Sequence, residues 1–309
     1  MKGAKTPGHL AAMFTIFVWG TTFVSTKVLL QDFQPVEILF FRFLIGLLAL
    51  KLIRPRLLRT KNWQEEVTFA AAGLCGICLY YLLENISLTY TLASNVGVIC
   101  SVAPFFTAIL SRVFMKEEGK MTGRFIMGFV VAMAGICLIS FNGSRLELNP
   151  LGDLLALGAV FVWACYSLLS KRIAGFGYPV VASTARTFLY GLLFMVPALF
   201  LFHFQLGIGR LAEPKYLLNI LFLGLGASAA CFVTWNFAVR ILGAVKTSAY
   251  IYMVPVVTVA FSALILREPV TPMAACGTVL TLAGLVLSES KGRRAVEDKA
   301  VEDKDEKGT

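Results

Sequence analysis

Three charged side chains, Lys27, Arg42 and Glu84, stand inside long apolar runs of the sequence. An ionised group in hydrocarbon is costly, so such residues usually face a cavity, a partner or a path for solute. Because Lys27 and Glu84 fall late in their runs and Arg42 early in the run of opposite direction, all three share a depth on the same membrane side. Arg42 sits about seven residues into its run, roughly 10 Å deep at ~1.5 Å of rise per residue. Their shared depth predicts one half of a cavity, with Glu84 neutralising Arg42 or Lys27. Glu84 reads either as a static ion-pair partner tying three spans together or as a site for substrate or protons. Arg186 is a further intramembrane cation with no evident acidic partner. Helix carbonyls, a substrate carboxylate and snorkelling are its three alternatives.

Aromatic and amide groups share these depths. Trp19 and Trp163 fall in the middle of their runs and not at the ends, where interfacial belts form. Tyr80, Tyr81, Tyr166 and Tyr252 are similarly deep, and Asn85 and Asn236 add polar groups. Rings at a cavity can stack on an apolar solute or cage an organic cation, and ordinary core packing is the competing account. These residues join Arg42, Glu84 and Arg186 as the expected lining of a substrate cavity. Pro104 and Pro255 interrupt two runs near their middles, each removing a backbone hydrogen bond, and are the candidate hinges. Gly128, Gly135, Gly277 and Gly284 recur at seven-residue spacing and predict a close helix contact, either within the chain or as a dimer seam. Monomer and weak homodimer both remain open.

The elements that must position these groups are helices. Of 309 residues 58% are hydrophobic and 15% charged, with mean hydropathy +0.77, against about 25% charge in a soluble domain. Breaks at charges, Pro, Gly and Asn divide the chain into ten expected spans: 8–30, 35–53, 67–90, 92–115, 123–141, 150–171, 179–202, 216–240, 246–266 and 272–289. At roughly 20 residues per crossing they leave only short loops and a tail. The expected class is an all-α polytopic membrane protein. The first run, Leu10 to Leu30, is too long for a signal-peptide core.

The net charge of +10 does not point to nucleic acid, because the basic residues occur as short clusters between apolar runs. With the N-terminus inside, fifteen Lys and Arg fall on the cytoplasmic side and six more in the tail, against four in outer loops. That bias predicts a multi-pass protein of the inner (plasma) membrane with both termini cytoplasmic. The seven cysteines all lie within apolar runs and read as small buried hydrophobes. The two histidines belong to different spans, so no metal site is expected. No catalytic residues and no cofactor are expected either. Residues 291–309 carry balanced charge and an AVEDK duplication and read as a disordered cytoplasmic tail.

The chain also repeats itself. Phe17-Val18-Trp19 recurs as Phe161-Val162-Trp163, Lys27 as Lys171, Pro35-Val36 as Pro179-Val180 and Arg42 as Arg186, all at an offset of 144. Asn85 recurs as Asn236, Pro104 as Pro255, Ser111 as Ser262 and Glu117 as Glu268, at 151. Apolar composition alone would not align Trp, Arg, Asn, Pro and Glu in order. Two halves, 1–145 and 146–290, each hold five spans, so the second must enter the membrane from the opposite side. Inverted repeats of this kind underlie alternating access in many transporters.

These residues carry a resemblance. VWGTTF (18–23), PVEILFFRF (35–43), ENISLTYTLASNVGVICSVAPFFTAILSRVFMKEE (84–118), FVWACYSLLSKR (161–172) and AYIYMVPVVTVAFSALILREP (249–269) resemble EamA-type members of the drug/metabolite transporter superfamily, the group that includes the YddG-like amino-acid exporters. The resemblance covers nearly the whole chain to about Ser290. It implies ten helices around a central cavity between the halves, termini inside, and transport of small organic metabolites without ATP hydrolysis. Ala164 stands where the first half has Gly20, a departure from symmetric helix packing.

The function expected from these observations is a secondary transporter, an exporter of a small metabolite such as an amino acid. Proton coupling through Glu84 is an open alternative. Others are an uptake carrier for an organic cation or a nucleotide- or sugar-type metabolite, and an integral-membrane enzyme acting on lipids. Against the enzyme, no nucleophile with a base and no phosphate-binding loop is evident. A channel is disfavoured because no ring of polar residues repeats through the spans.

Overall fold

Local signals start most helices where the composition breaks. Pro35, Pro150 and Pro214 each open a helix at its first turn, where a missing N–H costs nothing. Gln34 and Glu37 close a capping box, and Asn62 and Asn149 accept from Glu65 N and Gly152 N. In the computed structural model, which describes residues 5–90, 96, 99–115, 123–140, 149–257 and 272–289, the elements are helical and no strand occurs among those residues. In chain order they are α1 (Thr6–Leu29), α2 (Pro35–Ile53), α3 (Trp63–Tyr90), α4 (Ala103–Met115), α5 (Gly123–Ser140), α6 (Pro150–Gly175), α7 (Val180–Leu201), α8 (Pro214–Leu242), α9 (Ala244–Val257) and α10 (Pro272–Glu289).

α3, α6, α7 and α8 are each long and apolar enough to cross a bilayer, and shorter apolar helices accompany them. Leu52, Phe200, Leu201 and Val286 are exposed, the reverse of a soluble surface and the surface a lipid-facing bundle requires. α3 starts at Trp63, four residues before the expected boundary, because Asn62 caps it; this places Glu65 and Glu66 within its first turn.

The halves interlock as an inverted pair. α1 runs antiparallel to α8: Gly8 meets Ile241 and Leu242, Thr15 hydrogen-bonds Thr234, and Trp19 Nε1 donates to Ala227 O. α6 repeats this arrangement against α3, with Gly76 beneath the Tyr166 ring and Gly158 beside Leu83. Both α3 and α8 widen into a π-helical segment, Leu74–Leu79 and Phe222–Ala230, at equivalent depth. The widening realigns the face each helix presents beyond it. Gly73 sits against Thr187 and Gly191 of α7, and its counterpart Gly224 against Arg42 O and Ile45 of α2. Among the described residues the fold is thus ten helices in two inverted sets of five.

The seven-residue glycine pattern resolves as an intrachain contact. A Cβ on Gly135 would lie 2.5 Å from Gly277 O and Thr281 N, and one on Gly284 would lie 2.4 Å from Ala132 N. α5 and α10 therefore touch backbone to backbone, so this glycine face is occupied within the chain and is not a seam for a second copy.

The two prolines mark breaks of equivalent position. Ser101 and Val102 form a turn just before Ala103-Pro104 opens α4, and Tyr250–Tyr252 tighten into a 3-10 turn before Pro255. Proline cannot donate to the preceding turn, and the chain leaves α geometry ahead of it.

Candidate functional site

Side chains three and four residues apart share a helix face. On α3 that rule brings Tyr80, Tyr81, Glu84, Asn85 and Leu88 together, and on α1 it brings Trp19, Thr22 and Thr26. Arg42 from α2, Val160 and Trp163 from α6, Cys100, Ser101 and Ala103 around the start of α4, and Ile251 and Val254 from α9 complete the wall of one cavity of about 70 Å³. That volume holds a few waters, so an organic solute needs the walls to part.

Aromatic rings form its floor. Trp19 and Trp163 meet edge to face at 5.3 Å, Trp19 and Trp235 lie 5.1 Å apart, and Trp163 and Tyr80 lie 4.8 Å apart. Such contacts stabilise by about 0.5–1.5 kcal/mol each beyond burial. Trp19 Nε1 is satisfied by Ala227 O, but Trp163 Nε1 is buried with no partner among the described residues. A buried, unpaired N–H at a cavity wall is a donor awaiting an acceptor.

Arg42 is 3% exposed. Its Nε donates to Ser228 Oγ at 3.0 Å, and its guanidinium lies 4.4 Å from the Tyr81 ring centroid. No carboxylate of the described residues lies within ion-pair distance of it, so the expected Arg42–Glu84 pair does not form. Glu84 Oε1 instead accepts from Tyr80 OH at 3.0 Å. The side chain of Lys27, its other expected partner, lies outside the described residues. Among the described residues Asn85 Nδ2 reaches only Pro35 O, at 3.4 Å.

Four expected lining residues lie elsewhere. Arg186 pairs with Glu66 and donates to Leu58 O at 2.9 Å, and Tyr190 also donates to Glu66. Glu66 is the acidic partner that spacing along the chain concealed, because it stands 120 residues away. Tyr252 is fully buried against Ala132, Ile136 and Leu285, turned to the α5–α10 pair and away from the cavity. Tyr166 and Asn236 hydrogen-bond each other at 2.9 Å and line a second, smaller pocket below the aromatic floor.

Sequence reasoning did not select Ser228, Glu66, Thr22 or Thr26. Trp235 stands at the repeat position of Glu84, 151 residues on, and packs against both Trp19 and Trp163. The helix-face rule applied outward from Trp19 would have found the two threonines. Nothing local would have found Ser228.

Polar ties join helix ends on both faces of the bundle. On the face where α1 begins, Tyr178 donates to Glu65 at 2.7 Å, and this bond to a carboxylate holds its hydroxyl above the ordinary phenol range. On the opposite face Arg210 grips Glu37 through two bonds of 3.0 Å, and Tyr216 donates to Asp32. Among the described residues no group of three His, Cys, Asp or Glu could hold a metal ion, and all seven cysteines are free.

The profile of the EamA-like transporter family matches residues 6–141 and again 150–289. The chain belongs to the EamA-like transporter family. It is 27% identical over 288 residues to an uncharacterized transporter of Archaeoglobus fulgidus, covering 92% of this chain and 97% of that one. It is 26% identical to the uncharacterized transporter YyaM of Bacillus subtilis, covering 88% and 90%. A Streptantibioticus cattleyicolor protein described as "Probable terminal-alkyne amino-acid exporter" is 25% identical, covering 92% and 94%. A solved structure described only as "Crystal structure of protein" superposes with a TM-score of 0.76 at 19% identity, over 94% of this chain and 99% of that one. That likeness is one of fold. This EamA-like chain is therefore a membrane protein whose relatives are named transporters.

Proposed function

We propose that the chain is a secondary carrier that exports a small amino-acid-like metabolite by alternating access, without ATP hydrolysis or enzymatic turnover. The observation that carries this reading is one cavity lined by Arg42, which has no carboxylate partner among the described residues, by the Glu84 carboxylate, by the rings of Trp19 and Tyr80, and by Trp163, whose buried N–H has no partner among the described residues. Arg42 receives the solute carboxylate, Trp163 adds a hydrogen bond to it, and Glu84 faces the ammonium. The rings of Trp19, Tyr80 and Trp163 accept an apolar side chain. The amino-acid exporter among the relatives supports the same class.

The distribution of basic residues supports a plasma-membrane protein with both termini cytoplasmic, and in that orientation the cavity lies on the outer side. Such a cavity releases solute outside after loading from within. Thr22 and Thr26, toward the α1 C-terminus, line the way out.

The test is counterflow in proteoliposomes loaded with a panel of amino acids, amines and nucleosides. Saturable, exchange-accelerated uptake of amino acids is expected, and Trp163→Ala should weaken apparent affinity while insertion is retained. Rapid unsaturable flux would indicate a channel. An organic cation taken up in preference to zwitterions would reassign Tyr80, Trp163 and Glu84 as a cation cage.

A further inference from the structure

The smaller pocket has a place in the inverted symmetry. Thr22, Thr26 and Asn85 line the larger cavity. Their repeat counterparts, at offsets of 144, 144 and 151, are Tyr166, Ser170 and Asn236, and all three line the smaller pocket. Along α6, Val160 and Trp163 face the larger cavity, whereas Tyr166, Ser170 and Ile173 face the smaller. The two hollows lie on opposite sides of one aromatic floor and are the same construction turned over.

They differ in state. The smaller pocket is about 20 Å³, room for little more than one water. Its polar groups are knotted together. Tyr166 OH and Ser170 Oγ both donate to Asn236 Oδ1, at 2.9 and 2.6 Å, and Asn236 Nδ2 donates to Thr184 Oγ1 at 3.1 Å. The knot joins α6, α8 and α7, and Tyr166, Ser170 and Thr184 are buried. Among the described residues the larger cavity shows no hydrogen-bonded counterpart of this knot between Thr22, Thr26 and Asn85. There Thr22 bonds its own helix at Trp19 O, and Asn85 reaches only a backbone carbonyl.

We propose that the pocket around Asn236 is the closed half of the solute path on the opposite membrane face, and that the bonds of Asn236 to Tyr166, Ser170 and Thr184 are the lock holding it shut. This inference rests on the carrier reading above. When the halves exchange conformations, the lock opens and presents two hydroxyls and an amide to a small polar solute. Arg240 stands at the edge of this pocket, bonded only weakly to Tyr178 O at 3.4 Å, and offers a cation for a carboxylate entering there. The cost of opening is three hydrogen bonds, which the solute's own polar groups replace.

Reciprocal accessibility tests it in the full chain in proteoliposomes. Ser183→Cys places a thiol in the smaller pocket and Thr26→Cys one in the larger. Alkylation by a small polar reagent is read peptide by peptide by mass spectrometry, so the native cysteines remain. Adding Tyr166→Phe and Ser170→Ala, which remove only hydroxyls, should raise the labelling rate at 183 about tenfold and lower it at 26 severalfold. If the double variant fails to insert, Tyr166→Phe alone is read the same way. A rise at 183 without a fall at 26 would make the hollows independent and overturn the proposal, and so would no change at either site. Saturable counterflow without reciprocal labelling removes the lock and keeps the carrier. Reciprocal labelling without saturable counterflow removes the carrier and keeps the lock.

Discussion

Replacing Arg42 separates a solute-binding charge from a structural one. The guanidinium is 3% exposed, donates to Ser228 at 3.0 Å, lies over Tyr81 at 4.4 Å and has no carboxylate partner among the described residues. If it receives the solute carboxylate, Arg42→Gln removes a charge-assisted hydrogen bond of about 1.5–3 kcal/mol. That corresponds to roughly 10- to 150-fold in apparent affinity. The same substitution also loses the Ser228 bond and the cation–π contact, about 1–3 kcal/mol that every solute would feel through the fold. The discriminating quantity is therefore a difference between two ligands. Half-saturation in counterflow is measured for an amino acid and for its uncharged-carboxyl amide, in the parent chain and in Arg42→Gln. The loss should be at least tenfold larger for the acid. Arg42→Lys should fall between them, because an ammonium keeps the charge but not the planar fork. Equal losses for acid and amide would refute the assignment and leave Arg42 as a strut between α2, α3 and α8.

The remaining predictions concern the proton, the seam and the buried pair. Glu84→Gln should flatten the pH dependence of counterflow between about pH 5 and 8 if Glu84 carries the proton, whereas an unchanged profile makes it structural. Gly135→Ala forces a methyl to 2.5 Å from backbone atoms of α10 and should cost about 1–3 kcal/mol, read as a lowered unfolding temperature in detergent. Gly175→Ala, with nothing within 4 Å, should leave that temperature essentially unchanged. Glu66→Ala strands the Arg186 charge and should destabilise by about 3 kcal/mol. Adding Arg186→Leu should recover part of that loss, and a thermal-denaturation double-mutant cycle measures the recovery.

The same residues show how far one dimension reaches. Ten helices, the starts at Pro35 and Pro150, and the repeat that pairs Trp19 with Trp163 are legible because hydrophobic length, first-turn proline and self-similarity are properties of contiguous sequence. Trp19, Arg42, Tyr80, Tyr81, Glu84, Asn85 and Trp163 do gather at one cavity, because deep polar and aromatic groups have few other places to go. Which way each remaining group turns was decided by packing. A helix that is apolar on all sides has no face written into its pattern, so its rotation is set by the neighbours it touches. Rotation and the π-helical widenings turn Tyr166 and Asn236 below the floor, Tyr252 toward α5 and α10, and Arg186 onto a glutamate 120 residues away. The pattern of this sequence determined that deep charges must find partners or a cavity; only the tertiary contacts decided that Arg186 found a partner and Arg42 was left for the cavity.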